Sequence, residues 1–253
     1  GAALATGIGQ CVPAVCGLCF FLFTRRDLRF CRFTFSVKEM LDACYNGSSE
    51  MVSQLSNAVI TFLFNIVMMS LAGEHGVAAI TILLYGQFLF NAFYLGFSIG
   101  ISPVIGFQYG AGDRVKLRKI YRISFLFVAV SSFVIVVSAV FFSPAIVTIF
   151  TKDQGTWELA SVGFRLFAIN FLFSGMNITS SGFFTALSNG KVSALISFCR
   201  TLVFIVISLL ILPHIFGING AWIAIPVAEF LTLLITGWMH RVYFLMPGER
   251  NYL

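Results

Sequence analysis

Charge is what this chain has least of. Only 10% of its 253 residues are Asp, Glu, Lys or Arg, while 58% are hydrophobic. A soluble domain carries about 25% charge, so a water-facing globule is excluded. The six cysteines form no disulfide framework. Cys11, Cys16, Cys19 and Cys199 fall in apolar runs; Cys31 and Cys44 fall in a basic segment of cytoplasmic character, where thiols stay reduced. Cys16-Gly-Leu-Cys19 spells CxxC inside an apolar helix with no second pair, which makes neither a zinc nor a redox site. No HExxH occurs and no Ser-His or Cys-His pairing stands out, so the chain does not read as an enzyme, and no cofactor is called for. Alternating ten-residue segments, the mark of a β-barrel, are absent. Gly106-Phe-Gln-Tyr-Gly-Ala-Gly112 has the glycines of a phosphate loop but neither the strand before it nor the Lys-Ser/Thr after it. The last apolar run has no lysine for a retinal Schiff base and the outer loops are very short, which argues against a seven-helix receptor or pigment. Asn46-Gly-Ser48 and Asn177-Ile-Thr179 match the glycosylation pattern, but one lies at the inner face and the other within a span.

What is present is apolar sequence in long runs. Stretches of about 20 such residues recur throughout, and the mean hydropathy is +0.94. That pattern defines an all-α integral membrane protein, and 30 phenylalanines suit lipid-facing surfaces. Seven transmembrane helices are expected, at about 3–23, 47–72, 77–108, 121–150, 157–187, 192–214 and 219–245. An amphipathic piece, Val37 to Tyr45, is expected along the cytoplasmic interface. Turns are expected at Gly73-Glu-His-Gly76, Lys152 to Gly155, Ser188-Asn-Gly-Lys191 and Gly217-Ile-Asn-Gly220.

The net charge of +6 is concentrated. Arg25, Arg26, Arg29, Arg32 and Lys38 share one loop, and Arg114, Lys116, Arg118, Lys119 and Arg122 another. Basic loops stay inside. These clusters therefore report topology rather than a nucleic-acid site. They place the Lys191 turn and the tail with Arg241 and Arg250 in the cytoplasm, and the Glu74, Lys152 and Gly217 turns outside. Gly1 falls outside and Leu253 inside. The first run has its positive charges after it, the wrong flank for a signal peptide, and a chain starting at Gly1 rather than Met points to an N-terminus further upstream.

Glu50 begins an apolar run that reaches about Ala72 with no other charge. An ionisable group inside a bilayer costs roughly 2.5–3.5 kcal/mol, and such groups usually face a cavity and handle ions or protons. Gln54, Asn57, Thr61 and Asn65 follow on the same narrow helix face. The third span repeats the pattern with Gln87, Asn91, Tyr94, Ser98 and Ser102, the fifth with Asn170, Ser174, Asn177, Ser181 and Thr185. Three such helices around a centre make a polar cavity near mid-membrane; the alternative for each stripe is interhelical hydrogen bonding.

A second intramembrane acid, Glu229, lies in the last span, with Thr232, Thr236 and His240 on its face. Pro226 in the same helix frees a carbonyl near Trp222, a kink that serves an ion site or a hinge. Glu229 also has a plainer option, pairing with Arg200 of the sixth span. Arg165 lies off the Asn170 face and is expected to snorkel or pair locally. Gly96, Gly100 and Gly106 are expected to allow close packing or bending in the third span.

Four stretches resemble the C-terminal half of a multidrug and toxic compound extrusion (MATE) transporter. Gly1-Ala-Ala-Leu-Ala-Thr-Gly-Ile-Gly-Gln10 resembles the lead into the family's sixth helix, and Asn46-Gly-Ser-Ser-Glu50 with its polar stripe resembles the seventh. Pro103-Val-Ile-Gly-Phe-Gln-Tyr-Gly-Ala-Gly112 resembles the end of the eighth, and Ser181-Gly-Phe-Phe-Thr-Ala-Leu-Ser-Asn-Gly-Lys191 the end of the tenth. The resemblance implies twelve helices in two six-helix lobes. Residues 1–24 would then be the last helix of the N-terminal lobe, 25–46 the cytoplasmic inter-lobe linker, 47–246 the C-terminal lobe and 247–253 a cytoplasmic tail. It implies a multi-pass protein of the bacterial cytoplasmic membrane that exports drug-like cationic or amphipathic compounds in exchange for H+ or Na+. Its partners would be membrane lipid, small-molecule substrates and the N-terminal lobe, with no nucleic acid.

The resemblance matches the family's seventh-helix acid to Glu50. A second acid expected in the tenth helix of the Na+-coupled branch has no match, since that span holds no Asp. Glu50, with Asn177 or Glu229, is left as the cation-coupling set. Gln54, Asn57, Thr61, Gln87, Asn91, Tyr94, Asn170, Ser174 and Ser181 are the expected substrate-cavity residues. Protonation would neutralise Glu50, weaken its hold on a cationic drug and favour reorientation. The alternative is a lipid-linked oligosaccharide flippase of the same broad superfamily. Such proteins need several cavity arginines for a pyrophosphate, and here Arg165 and Arg200, the intramembrane arginines, lie off the stripes.

Overall fold

A computed structural model describes residues 2–23 and 36–245, all but Ser36 and the short connections in helix; a few side chains within the helices, including that of Glu50, lie outside the description. The arginines of the first basic loop, Cys31 and the tail with Arg250 also lie outside the described residues. The chain forms two compact units, Gly1–Leu41 and Asp42–Leu253. The first contains helix α1, Ala2–Phe23, with Pro13 inside it.

Helix α2, Val37–Gly110, has 74 residues. A straight helix of that length spans about 110 Å, several times a hydrocarbon core of about 30 Å. It is broken once, at Gly73, whose φ of 60° and ψ of −147° lie outside the helical region. The break makes two limbs, each long enough for one pass. Two expectations change. The Val37 to Tyr45 piece is not a separate helix but belongs to α2. The Gly73–Gly76 turn is a single residue, because Glu74, His75 and Gly76 are already helical.

Gly217 repeats the device between α8 and α9, with φ 58° and ψ −137°. This is left-handed backbone that only glycine adopts cheaply. In both turns a second glycine follows three residues on. A Cβ on Gly76 would lie 2.8 Å from the Met68 carbonyl oxygen, and one on Gly220 would collide with the Leu212 carbonyl oxygen, the same offset in each turn. The motif G-x-x-G therefore has two parts: one glycine reverses the chain and the next lets the limbs close.

The remaining passes follow. Helix α3, Arg114–Phe141, is capped by Asp113, which accepts from the Lys116 N–H at 3.0 Å. The expected fourth span does not continue to 150 as one helix. It ends at Phe141, and after Phe142 helix α4, Ser143–Phe150, starts with Pro144 in its first turn, where a missing N–H is tolerated. Helix α5, Gln154–Phe167, joins α6, Phe171–Ala186, through a 3-10 turn at Ala168–Asn170. Helix α7, Gly190–Phe198, joins α8, Phe204–Phe216, through a π-helical segment at Cys199–Val203. Helix α9, Ile218–His240, passes into a second π segment, Arg241–Leu245.

Among the described residues, five helical runs are long and apolar enough to cross a membrane: Gln54–Gly110, Arg114–Phe141, Gln154–Ala186, Gly190–Phe216 and Ile218–Phe244. Gly73 divides the first into two passes, and α1 contributes a shorter apolar stretch, Gly7–Leu22. The chain is an all-α membrane protein.

Helix α9 sits at the heart of the second unit, with Trp222, Ala224, Ile225 and Ala228 buried. Small residues let aromatic rings reach it: a Cβ on Gly163 of α5 would lie 2.9 Å from the Trp222 ring. The same device seats the second limb of α2, where Gly86 admits Phe164 and Gly175 admits Tyr94. Gly96 and Gly100, expected to pack closely, have open space beside them. Meanwhile Phe88, Phe107, Phe141 and Ile149 are exposed, as suits a lipid-facing surface.

Candidate functional site

The polar heart of the bundle lies on the seam between α6 and α9. Glu229, Thr232, Thr236 and His240 of α9 share one face, and all four are buried. Asn177 of α6 is buried opposite them. Its Nδ2 donates to the Glu229 carboxylate Oε2 at 2.7 Å and to the Glu229 backbone carbonyl at 2.9 Å. Its Oδ1 accepts from the Thr236 hydroxyl at 3.0 Å. The other carboxylate oxygen, Oε1, lies 3.4 Å from Arg200 Nε. That is a charge contact without hydrogen-bond geometry. Arg200 belongs to the π segment between α7 and α8, and π turns often mark functional positions.

One turn before Asn177 on α6 the Ser174 hydroxyl, and a further turn back in the 3-10 segment the Asn170 side-chain oxygen Oδ1, are buried without a protein partner. Asn170 donates its Nδ2 to the Phe167 carbonyl at 2.6 Å. The Asn91 carbonyl oxygen of α2 is likewise unpartnered. Such acceptors normally bind water or a polar ligand. Tyr94 of α2 donates its hydroxyl to the Phe171 carbonyl at 3.0 Å.

Further along α6 the polar stripe turns to helix-to-helix bonding. The Ser181 hydroxyl meets those of Ser193 and Ser197 at 2.8 and 2.9 Å, and Thr185 meets Ser193 at 2.7 Å. Here the stripe acts as interhelical glue. The Glu50 stripe has another setting: Gln54, Asn57 and Thr61 are exposed, and the Thr61 hydroxyl donates back to the Asn57 carbonyl at 2.8 Å. Gln87 is half-buried. The three stripes therefore do not converge on one centre within this unit. The α6 stripe faces α9 and α7, while Gln54, Asn57 and Thr61 lie on the surface. The side chain of Glu50 is outside the described residues.

Ser180 of α6 and Tyr121 of α3 go beyond the expected site. His240, on the expected Glu229 face, contacts Ser180 Oγ at 2.8 Å through Nε2 and the Tyr121 hydroxyl at 3.3 Å through Nδ1. The Phe125, Phe184 and Phe244 rings surround it, with centroids 5.1 to 5.2 Å away. Their only sequence signal was His240 itself, an imidazole in an apolar run.

A different cluster lies at the opposite end. His75 Nδ1 is 3.0 Å from Asp153 Oδ2 and 3.2 Å from the Thr156 hydroxyl, tying the Gly73 turn to the start of α5. The Thr156 N–H and hydroxyl, with His75 adding to them, hold the Asp153 carboxyl below the ordinary carboxylate range.

Five or more apolar passes among the described residues, a buried carboxylate with fixed polar partners, and surface apolar side chains define a helical membrane bundle. The comparisons assign it further. The MatE family model matches residues 51–210, so the chain belongs to the MATE family. It is 29% identical over 139 residues to human multidrug and toxin extrusion protein 1, a match covering 50% of this chain and 23% of that protein. It overlays a MATE structure solved in complex with MaL6 with a TM-score of 0.85 and 24% identity, covering 96% of this chain and 56% of that one. An outward-facing MATE family transporter of the MOP superfamily gives a TM-score of 0.84 with 55% of its length covered. The chain thus spans about half the length of these solved relatives.

Proposed function

We propose that this chain is the C-terminal portion of an exporter of amphipathic and cationic compounds, driven by exchange for a coupling cation across the bacterial cytoplasmic membrane, with its C-terminus in the cytoplasm. The N-terminal lobe supplies the other wall of the cavity, and the lobes alternate access. Glu229 and Asn177 are the coupling pair in this lobe, and Glu50 is a second carboxylate on the first limb of α2. Gln54, Asn57, Thr61, Gln87, Asn91, Tyr94, Asn170, Ser174 and Ser181 are the groups assigned to the substrate path.

The observation that carries this reading is the buried Glu229, bonded by Asn177 and neighboured by Arg200. Ionised, it forms a neutral pair with the guanidinium. Neutralised, it leaves Arg200 as an uncompensated cation at the heart of the bundle. That switch of local charge repels a cationic substrate and so links cation loading to substrate release. Two intramembrane arginines, one of them paired, do not make a pyrophosphate cradle, and nothing favours the flippase reading.

The test is gradient-driven export by the full-length protein in vesicles. Glu229→Gln and Glu50→Gln should each abolish export while leaving membrane insertion intact. Export at the wild-type rate in both variants refutes the proposal.

A further inference from the structure

The start of α3 carries a run of basic residues, Arg114, Lys116, Arg118, Lys119 and Arg122. Their positions around the helix separate them. At 3.6 residues per turn, Lys119, Arg122, Leu126, Val130 and Phe133 fall within about 80° of one another. All of these are exposed. Leu117, Ser124, Val128 and Ser132 fall on the opposite side and are buried. One outward stripe therefore begins with two cations and continues as apolar side chains. We propose that this stripe is a binding site for an anionic phospholipid of the leaflet at the basic end. The phosphodiester sits between Lys119 and Arg122, and an acyl chain runs along Leu126, Val130 and Phe133. The inference stands apart from the coupling reading and uses none of its residues. Three observations carry it.

First, the two charges are not neutralised from within the described fold. Asp113 is already engaged twice: it accepts from the Lys116 N–H at 3.0 Å and pairs with Lys116 Nζ at 2.9 Å. Among the described residues, no carboxylate pairs with Lys119 or Arg122. Two cations at an i, i+3 step are helix-surface neighbours, about 5–6 Å apart at Cβ, and repel each other. A phosphodiester between them removes that repulsion and accepts from both, from the guanidinium as a fork and from the ammonium as a point charge.

Second, the turn that carries the cations is held from its inner side. Tyr121 points inward, its ring centroid 5.5 Å from that of Phe183 of α6 and 5.2 Å from that of Phe244 in the π segment after α9. Leu117 is buried in the same cluster. The Ser124 hydroxyl donates to the Ile120 carbonyl at 2.7 Å. Lys119 and Arg122 therefore project from a fixed helix rather than a loop, which lowers the ordering cost of binding.

Third, the stripe has the length of one leaflet. From Arg122 to Phe133 the helix rises about 16 Å, half a hydrocarbon core of about 30 Å. With the cations at headgroup level, the apolar part ends at the bilayer midplane, the depth an acyl chain reaches. The Tyr121–Phe244 contact brings the end of α9 to the same level, and Arg241 is exposed there. A soluble anion would use the cations alone, and an acidic peptide would leave the apolar part uncovered. An anionic amphiphile matches both parts of the stripe.

The experiment uses the full-length protein in detergent, with dioleoyl phosphatidylglycerol as the probe and native mass spectrometry to count bound lipid. Joint substitution Lys119→Gln and Arg122→Gln is expected to weaken the first binding event by about 25-fold, about 5-fold for each basic side chain at an anionic surface. Phosphatidylcholine, with the same tails and no net charge, should bind the wild type no better than it binds the double variant. Arg122→Lys keeps the charge and should retain most of the affinity. Lys152→Gln, at the opposite end of the bundle, should bind phosphatidylglycerol as the wild type does. The proposal is overturned if the double variant binds phosphatidylglycerol like the wild type, or if Lys152→Gln weakens binding as much. It is also overturned if inorganic phosphate displaces the lipid as effectively, mole for mole, as phosphatidylglycerol itself, because the site would then be a plain anion site.

Discussion

Asn177→Ala is the substitution that best separates a structural seam from a loosely packed one. Asn177 makes three buried hydrogen bonds: to the Glu229 carboxylate at 2.7 Å, to the Glu229 carbonyl at 2.9 Å, and from Thr236 at 3.0 Å. In water-soluble proteins a bond to a charged group contributes about 1.5–3 kcal/mol and a neutral one about 0.5–1.5. Between membrane helices the average is lower, about 0.6 kcal/mol. The triplet therefore contributes about 2–6 kcal/mol, with the membrane average setting the lower end. The charged acceptor makes the upper half of that range the expected one, because alanine leaves a carboxylate oxygen without its donor. Purified variant and wild type would be compared by thermal unfolding in detergent, with Asn177→Gln and Thr236→Val beside them. Thr236→Val removes one neutral bond and should cost far less than Asn177→Ala. Equal midpoints for wild type and Asn177→Ala would refute the claim that this amide joins α6 to α9.

Other expectations follow from the same structure. Gly217→Ala should cost about 1–3 kcal/mol because the residue has a positive φ, and Gly220→Ala a similar amount because its Cβ meets the Leu212 carbonyl. Gly96→Ala and Gly100→Ala face open space and should be neutral or slightly stabilising; a destabilisation equal to that at Gly220 would count against the paired-glycine account. Asp153, whose carboxyl is held below its ordinary range, contributes stability that is complete above that range and lost as the pH falls through the lowered value. Asp153→Asn keeps a helix cap but removes that titration. Protection of the amides at the start of α5, taken relative to their intrinsic exchange rates, should therefore fall in acid for wild type and lose this dependence in the variant. Ser193→Ala removes the hydroxyl shared by Ser181 and Thr185. It should loosen the α6–α7 contact by about 1 kcal/mol, read as a lower unfolding midpoint without a change in the ion dependence of export.

Some of this was legible in the residues because helical periodicity is a strong signal. The three- and four-residue steps from Asn170 to Thr185 and from Glu229 to His240 each mark one face, buried except at half-buried Ser181 and Thr185. The order of passes was legible too, because Gly, Pro and charged residues punctuate the apolar runs. Periodicity names a face and not its neighbour. Nothing in the spacing of the Glu50 series distinguishes a stripe turned outward from one turned to α9, so the three stripes looked equivalent. The structure separates them: Asn177 binds Glu229, Ser181 binds α7, and Gln54, Asn57 and Thr61 remain on the surface.

The π segments were invisible for a different reason. A π turn needs no special residue; it inserts one extra position into an α-helical register, and Cys199–Val203 reads like any apolar helix. Yet that segment carries Arg200, and the second one begins directly after His240. One extra residue turns every side chain after it by roughly a quarter of a turn about the axis. Arg200 therefore meets Glu229 from within a locally under-wound register rather than from an ideal stripe. The pairing of Glu229 with Arg200 was available from chemistry alone, as the plainer option for two buried opposite charges. Its geometry was not: the guanidinium lies beside one oxygen and the Asn177 amide donates to the other, so two different elements hold the carboxylate against α9.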